Sequence, residues 1–392
     1  SIMQGDMKNK KWTMLSRKNH EEYCRYRGYE YVLWDKNLSE RTPHWEKLEA
    51  ILELMDTDKY DILYWMDADS IFTNFDSKLE DLLPPGKEFA FSGDWNLINS
   101  GHWAVRNSDW AAEFLEDILD FYPMPFPNWD NAAFSIRLGG CLPEQRQSWL
   151  ECLRKVDQGF INRKIRERVE AGLATELIDA ELRDRVILHP KRRMNGYPGD
   201  WSVGDPVLHT VDRLDHERDF WTSYVLDSDG MPRKAEFFRQ NIDELDQRGR
   251  NALQAGKLEA AVQFYHMALV SIISSGGKGS ANDVSAPVNQ INFNLGFAFT
   301  RANRPWKAVN AYQRAVDADP NDIESWKMLA TSYISMRSRF YEMWQYPLAM
   351  ASLKKVSEIV ANGFKAKVPV LERSLCDGNS DDEHCEIVDL TL

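Results

Sequence analysis

No apolar run in this sequence approaches the roughly 20 residues that a membrane-crossing helix needs, and no signal-peptide pattern is seen. The expectation is a chain without a membrane span. Positive charge is in short supply: 48 Lys and Arg stand against 61 Asp and Glu, a formal net charge of −13. A phosphate-backbone binder needs a basic face, so nucleic acid is not an expected partner. Cysteine is scarce as well, five in 392 residues, in spacings that fit no zinc site. Cys141/Cys152 and Cys376/Cys385 are each close enough in sequence for a local disulfide, which leaves Cys24 alone. A secretory compartment is compatible with such pairs but not required by them.

What is present is the composition of a folded soluble protein, 43% hydrophobic and 28% charged. The length allows two or three domains at roughly 100–200 residues each. The organising stretch is Tyr60 to Phe72. Ile62 to Met66 is short, apolar and rich in aromatic and branched residues, which predicts a strand buried on both faces of a parallel sheet. It ends in two carboxylates, Asp67 and Asp69, separated by Ala68. Ligands of open α/β sheets gather beyond the carboxyl ends of strands. An Asp-x-Asp pair there can hold a hard divalent cation, which in turn neutralises a diphosphate.

Around this stretch the pattern alternates helix and strand. Lys8 to Gly28 reads as a helix with Trp12, Leu15, Tyr23 and Tyr26 on one face, and Tyr29 to Asp35 as a strand. His44 to Met55 is a helix with Pro43 just before it. Only Ser1 to Asp6 precede the first helix, so the strand expected there is very short or trimmed. Glu88 to Ser92 is a further strand, followed by Asn99-Ser100-Gly101 through Arg106, whose small residues let a backbone approach a ligand closely. Trp110 to Phe121 is helical. After Pro123, Pro125 and Pro127, the stretch Trp129-Asp130-Asn131 opens another helix, in which Asp130 is a candidate N-cap. Arg163 to Asp184 reads as a solvated charged helix or excursion, Val186 to His189 and Val207 to His209 as short strands.

These residues resemble glycosyltransferase family 34, the retaining galactosyl-, mannosyl- and xylosyltransferases. The matching pieces are Asn19 to Asp35, Pro43-His44-Trp45-Glu46-Lys47, Tyr64 to Asp69, Asn99-Ser100-Gly101 through Arg106-Asn107, and Gly204-Asp205 through His209. They stand in the family's order over about the first 215 residues. The resemblance implies an α/β GT-A domain, Rossmann-like, that takes a nucleotide-sugar donor (a UDP- or GDP-sugar) with Mn2+ or Mg2+. It implies Asp67, Asp69 and His209 as metal residues. Lys47, Ala68, Asn99, Ser100, Gly101 and Gly204 would line the donor site, and Asp130 and Asn131 the catalytic side. Histidine with carboxylate suits manganese better than an all-oxygen site. It also implies a Golgi or secretory lumen, and a glycan or protein acceptor. Two departures stand near the presumed sugar pocket: Asp130-Asn131 replaces Asp-Gln, and Thr210-Val211-Asp212 replaces Phe-Ala-Gly.

The second half changes character. Arg248 to Leu253 with Gly256, Ala261, Tyr265 and Ala268 reads as one tetratricopeptide repeat. Leu295-Gly296, Phe299, Ala308, Tyr312, Ala315 and Pro320 read as a second. Trp326, Leu329 and Tyr333 begin a third, whose second helix takes in Ala349 and Leu353. The Ala261-to-Ala308 spacing exceeds the ~34-residue period, and the Gly/Ser-rich loop Ser274 to Ser285 accounts for the surplus. The expected division is residues 1–240 as transferase domain, 241–365 as a repeat domain whose groove takes a peptide or protein, and 366–392 as an acidic tail. Phe220, Trp221, Tyr224 and Val225 are expected at the junction. The rival reading is a catalytically degenerate transferase domain kept as a scaffold, with the repeats carrying the function.

Overall fold

The computed structural model describes residues 1, 5–34, 39–94, 97–124, 129–156, 163–211, 214–275, 281–335 and 351–361. Two compact units divide the chain, the first running from Ser1 to Gln240 and the second beginning at Asn241.

The first unit contains a 3-10 turn (Gly5–Asn9), then α1 (Lys11–Arg27), α2 (Pro43–Met55), β1 (Ile62–Met66), β2 (Ser70–Phe72), β3 (Phe89–Asp94), β4 (Leu97–Arg106), α3 (Asp109–Leu119), α4 (Trp129–Leu138), α5 (Trp149–Val156), α6 (Arg163–Glu170), β5 (Val186–His189), α7 (Lys191–Met194), β6 (Val207–His209) and α8 (Asp215–Val225). It is an α/β unit, but the expected all-parallel sheet is not what forms. The main sheet runs β1-β4-β3-β5 and is mixed: β4 lies antiparallel to both β1 and β3, and β5 lies parallel to β3. A buried apolar run looks the same in either direction, so sequence did not separate the cases.

The pleat explains which side chains go where. Phe89, Phe91, Trp103 and Val105 point to one face, against Trp45, Leu48, Phe114, Ile118 and Phe134 from α2, α3 and α4. The intervening Ala90 and Ala104 point the other way and pack with Leu82, Leu83 and Met194. Both faces are therefore covered, as the apolar strands demand.

Helix α1 ends where Gly28 adopts φ +77 and caps onto the Cys24 carbonyl. Its buried face is more polar than expected. Ser16, Asn19 and His20 are buried, while Tyr26 is exposed. Ser16 Oγ donates to the Ala68 and Ser70 carbonyls, His20 Nε2 to Ser70, and Asn19 Nδ2 to Phe72. These bonds fasten β2, a strand of only three residues, to the body of the unit.

Residues 29–34 show a single bridge at Trp34 rather than the expected strand. A strand needs a ladder partner, and alongside them Ser1 accepts from Trp34 N at 2.9 Å. Asp35 lies outside the described residues. The charged segment from Arg163 is not simply solvated. Val169, Ala174, Leu177, Ile178 and Leu182 are buried in the main core between its charges. Cys141 and Cys152 form a disulfide between the end of α4 and α5, and Cys24 is free and buried. No helix among the described residues is long and apolar enough to cross a membrane.

Trp221, Tyr224 and Val225 of α8 are buried, and Tyr224 packs on Phe237 and Phe238 within the same unit.

The second unit is helical: α9 (Ile242–Gln254), α10 (Leu258–Ser274), α11 (Ala281–Arg301), α12 (Pro305–Ala318) and α13 (Ile323–Ser335), with residues 351–361 also helical. Helix α12 packs on both α11 and α13. Small residues set the close approaches. A methyl group on Gly249 would meet the Tyr265 ring at 2.5 Å, and one on Gly296 the Tyr312 ring at 2.7 Å. Ala261, Ala268, Ala308 and Ala315 are fully buried at equivalent places in the two pairs. Leu329 and Tyr333 are buried on α13, whereas Leu353 is exposed. The insertion at 337–345, Ala349, the tail 366–392 and the Cys376/Cys385 pair lie outside the described residues.

Candidate metal and donor site

Register brings the site together from distant sequence. Met66, the last residue of β1, pairs with His102 of β4, and the next amide, Asp67 N, donates to the Gly101 carbonyl at 2.9 Å. Ser70 pairs with His209 where β2 meets β6. Asp67 and Asp69 are thereby trapped between two strand junctions. One ligand atom from each of Asp67, Asp69 and His209 lies within 4.8 Å of the others.

Each side chain is held. Asp67 Oδ1 accepts from Trp65 Nε1 at 2.7 Å and sits 3.8 Å from Lys47 Nζ. Asp69 Oδ1 lies 3.2 Å from His209 Nε2, and its Oδ2 accepts from Arg218 Nη2 at 3.0 Å. Burial by itself would raise the Asp69 carboxyl, but His209 and Arg218 outweigh it and hold the group well below the usual carboxylate range. The Asp69 carbonyl accepts from both the amide and the hydroxyl of Thr210. Thr210 therefore clamps the loop that carries Asp69.

The tautomer of His209 follows from its partners. Burial, with the Asp94 carboxylate alongside, pushes the Tyr197 phenol well above its usual range, so Tyr197 keeps its proton and donates it to Asp94. The same oxygen then accepts from Asn195 Nδ2 at 2.9 Å and Asn99 Nδ2 at 2.8 Å. That fixes the Asn195 amide with its oxygen toward His209, whose Nδ1–H donates to it at 2.7 Å. With Nδ1–H so committed, Nε2 is the atom that faces Asp69, and the space between them takes either a shared proton or a cation. A histidine whose other nitrogen is tied to an amide oxygen is the usual form of a metal ligand. The donor set therefore fits a divalent cation.

Lys47, 2% exposed, ties the flanking residues together. Its Nζ lies 2.7 Å from Asp130 Oδ2 and donates to the Ser100 carbonyl at 3.0 Å. Burial alone would lower this amine, yet Asp130 and Asp67 prevail and raise it. Asp130 is thus not an N-cap; it is 2% exposed and sits inside α4 as the partner of Lys47. Asn131 Oδ1 accepts from Ser100 N at 2.7 Å, so its amide oxygen anchors β4. Gly101 is where backbone and site touch: a methyl group there would stand 2.7 Å from His209 Cε1 and 2.9 Å from Asp67 Oδ2. Asn99 accepts from Gly101 N through Oδ1 at 2.8 Å. Ala68 is buried against Trp12. Gly204 does not join the group. It is an exposed turn glycine at φ +99 whose carbonyl accepts from Asn74.

Sequence reading missed Arg218, Asn195, Tyr197 and His102, whose ring stands edge-to-face on His209 at 4.7 Å. None sits in a local pattern that marks it; only the fold places them.

Comparisons with known proteins bear on the front of the chain. A family model described as the galactosyl transferase GMA12/MNN10 family matches residues 2–87. Galactomannan galactosyltransferase 1 of Cyamopsis tetragonoloba is 26% identical over 110 residues, 25% of this chain and 25% of its own length. Xyloglucan 6-xylosyltransferase 2 of Arabidopsis thaliana is 29% identical over 117 residues, 27% of this chain and 25% of its own. The chain thus spans about a quarter of the length of the relatives it matches. The crystal structure of a glycosyltransferase involved in the glycosylation of the major capsid of PBCV-1 covers 56% of this chain at a TM-score of 0.35 and 14% identity. The family model and the relatives' names support the likeness to glycosyltransferase family 34.

Proposed function

We propose that the chain is a metal-dependent glycosyltransferase of the family 34 type. Its first unit is a GT-A domain that moves a sugar, with retention, from a UDP- or GDP-sugar to a glycan or protein acceptor. The observation that carries this reading is the convergence of Asp67, Asp69 and His209, with His209 committed through Nδ1 to Asn195. Those three residues are assigned to a divalent cation, manganese before magnesium. The chemistry it supplies is charge stabilisation of the departing nucleoside diphosphate.

Charge supports the assignment. Among the described residues, Asp67, Asp69 and Asp130 face the cations of Lys47 and Arg218, with the imidazoles of His209 and His44 alongside Asp69 and Asp130. Three carboxylates against two side-chain cations leave negative charge for a divalent cation to balance, and the cation leaves positive charge for a diphosphate. Lys47 holds Asp67 and Asp130 at a fixed separation. Asn131 holds the Ser100 amide, which keeps Gly101 close beneath the site. We assign Asp130 to the sugar-facing side; its burial and its ion pair with Lys47 favour a stabilising role over attack as a nucleophile.

The second unit is assigned to tetratricopeptide repeats that engage a peptide or protein, including a polypeptide acceptor. The Cys141–Cys152 disulfide suits an oxidising lumen such as the secretory pathway.

The test is a screen of UDP- and GDP-sugars with manganese, reading binding and slow donor hydrolysis. One donor should be hydrolysed in a manganese-dependent way, and Asp69→Ala should abolish this while the fold survives. Donor hydrolysis that is indifferent to the Asp69 change would refute the assignment.

A further inference from the structure

We propose that Arg218 is a binding residue for the donor's diphosphate and competes with the divalent cation for Asp69. The inference rests on the transferase reading and adds a residue far beyond the stretch 2–87 that the family model matches.

Arg218 Nη2 lies 3.0 Å from Asp69 Oδ2, on the carboxylate oxygen opposite the one that meets His209. The guanidinium lies over the Trp12 ring, 4.9 Å from its centroid, with Nη1 3.8 Å from Asp215 Oδ1. Trp12 is fixed in turn by its Nε1 bond to Asp215 at 3.0 Å. The cation is therefore held in place by an aromatic face and by two carboxylates. Only one of these, Asp69, belongs to the metal group.

Two features mark this cation as more than a structural tie. Its Nε is buried and has no hydrogen-bond partner among the described residues. Its side chain is 21% exposed, so the head still reaches solvent beside the site. A divalent cation on Asp67, Asp69 and His209 neutralises the two carboxylates of the metal group, which leaves Arg218, among the described residues, only Asp215, 3.8 Å away, as a counter-charge outside that group. The guanidinium can then take a further anion. A planar fork of N–H donors matches the paired oxygens of a diphosphate, which a cation at this site would bring within reach.

Two competing roles give opposite signs in one experiment. Wild type, Arg218→Ala and Arg218→Lys are first checked for fold by circular dichroism, then titrated calorimetrically with manganese alone. They are titrated next with UDP and with GDP in the presence of manganese. Arg218→Ala should bind manganese as tightly as wild type or more tightly, since a rival cation is gone. It should bind the preferred nucleoside diphosphate about 10-fold or more weakly, the loss of a charge-assisted hydrogen bond. Arg218→Lys keeps the charge over Trp12 without the fork, and should lose diphosphate affinity by a smaller factor with manganese affinity retained. This variant decides the matter if the alanine variant does not fold.

Unchanged diphosphate affinity in the variants would overturn the proposal. So would a parallel fall in manganese and diphosphate affinity, which would make Arg218 a positioning residue for Asp69. Wild-type protein that binds manganese but neither diphosphate would refute the transferase reading itself and this inference with it.

Discussion

Replacing Gly101 by alanine is the smallest change that reaches two of the three metal-site residues at once. The added methyl group would stand 2.7 Å from His209 Cε1, 2.8 Å from Asn99 Oδ1 and 2.9 Å from Asp67 Oδ2. All three distances are well inside van der Waals contact, so those groups must move or β4 must. Backbone strain is not the issue, because Gly101 sits within a regular strand. Overpacking of this kind costs about 1–3 kcal/mol of stability. Asp67 and His209 are both displaced, so manganese affinity should fall at least as far as when an outer partner of a metal ligand is removed, roughly 10–100-fold. Urea unfolding and manganese calorimetry on the same preparation separate the two effects. A Gly101→Ala protein that binds manganese like wild type would mean that Asp67 and His209 do not share a cation.

Asn195→Ala should cost roughly 10–100-fold in manganese affinity, because His209 loses the bond that sets its tautomer; equal affinity would remove Asn195 from the site. His20 supplies a pH test. Burial lowers its imidazole from 6.5 to about 3, so between those values the unfolded chain binds a proton that the folded one does not. Its contribution is complete above pH 6.5 and is lost as the pH falls toward 3, about 2 kcal/mol by pH 5. Unfolding free energies from urea titrations at pH 7 and 5 should therefore differ by about 2 kcal/mol less in His20→Gln than in wild type, and an identical acid loss in both would contradict this. Converting Cys141 and Cys152 to serine opens a crosslink with a sequence separation of 11, which should cost about 2–3 kcal/mol. An unchanged urea midpoint under non-reducing conditions would argue against the bond.

Much of the site was legible because its signals are local. An apolar run, Ile62 to Met66, stops at two carboxylates, and a short strand stops at His209, as in the fold. Pro43 opens α2, as a proline in the first turn allows. Direction was not legible, since β4 is buried on both faces and reads alike in a parallel or antiparallel ladder. The face of α1 was legible at Trp12 and Tyr23 but not at the exposed Tyr26, and Ser16, Asn19 and His20 are buried for the carbonyls of Ala68, Ser70 and Phe72, a requirement set by a partner elsewhere. Arg218 and Asn195 act on Asp69 and His209 through tertiary placement alone, so no spacing announces them.

The most direct measurement is a pair of titrations on the wild-type chain, UDP and GDP each with manganese and each with chelator. One nucleoside diphosphate should bind with manganese and lose at least roughly 100-fold in affinity in chelator, since three ligand atoms lie close enough together to share one cation. Equal affinity with and without the metal would contradict this.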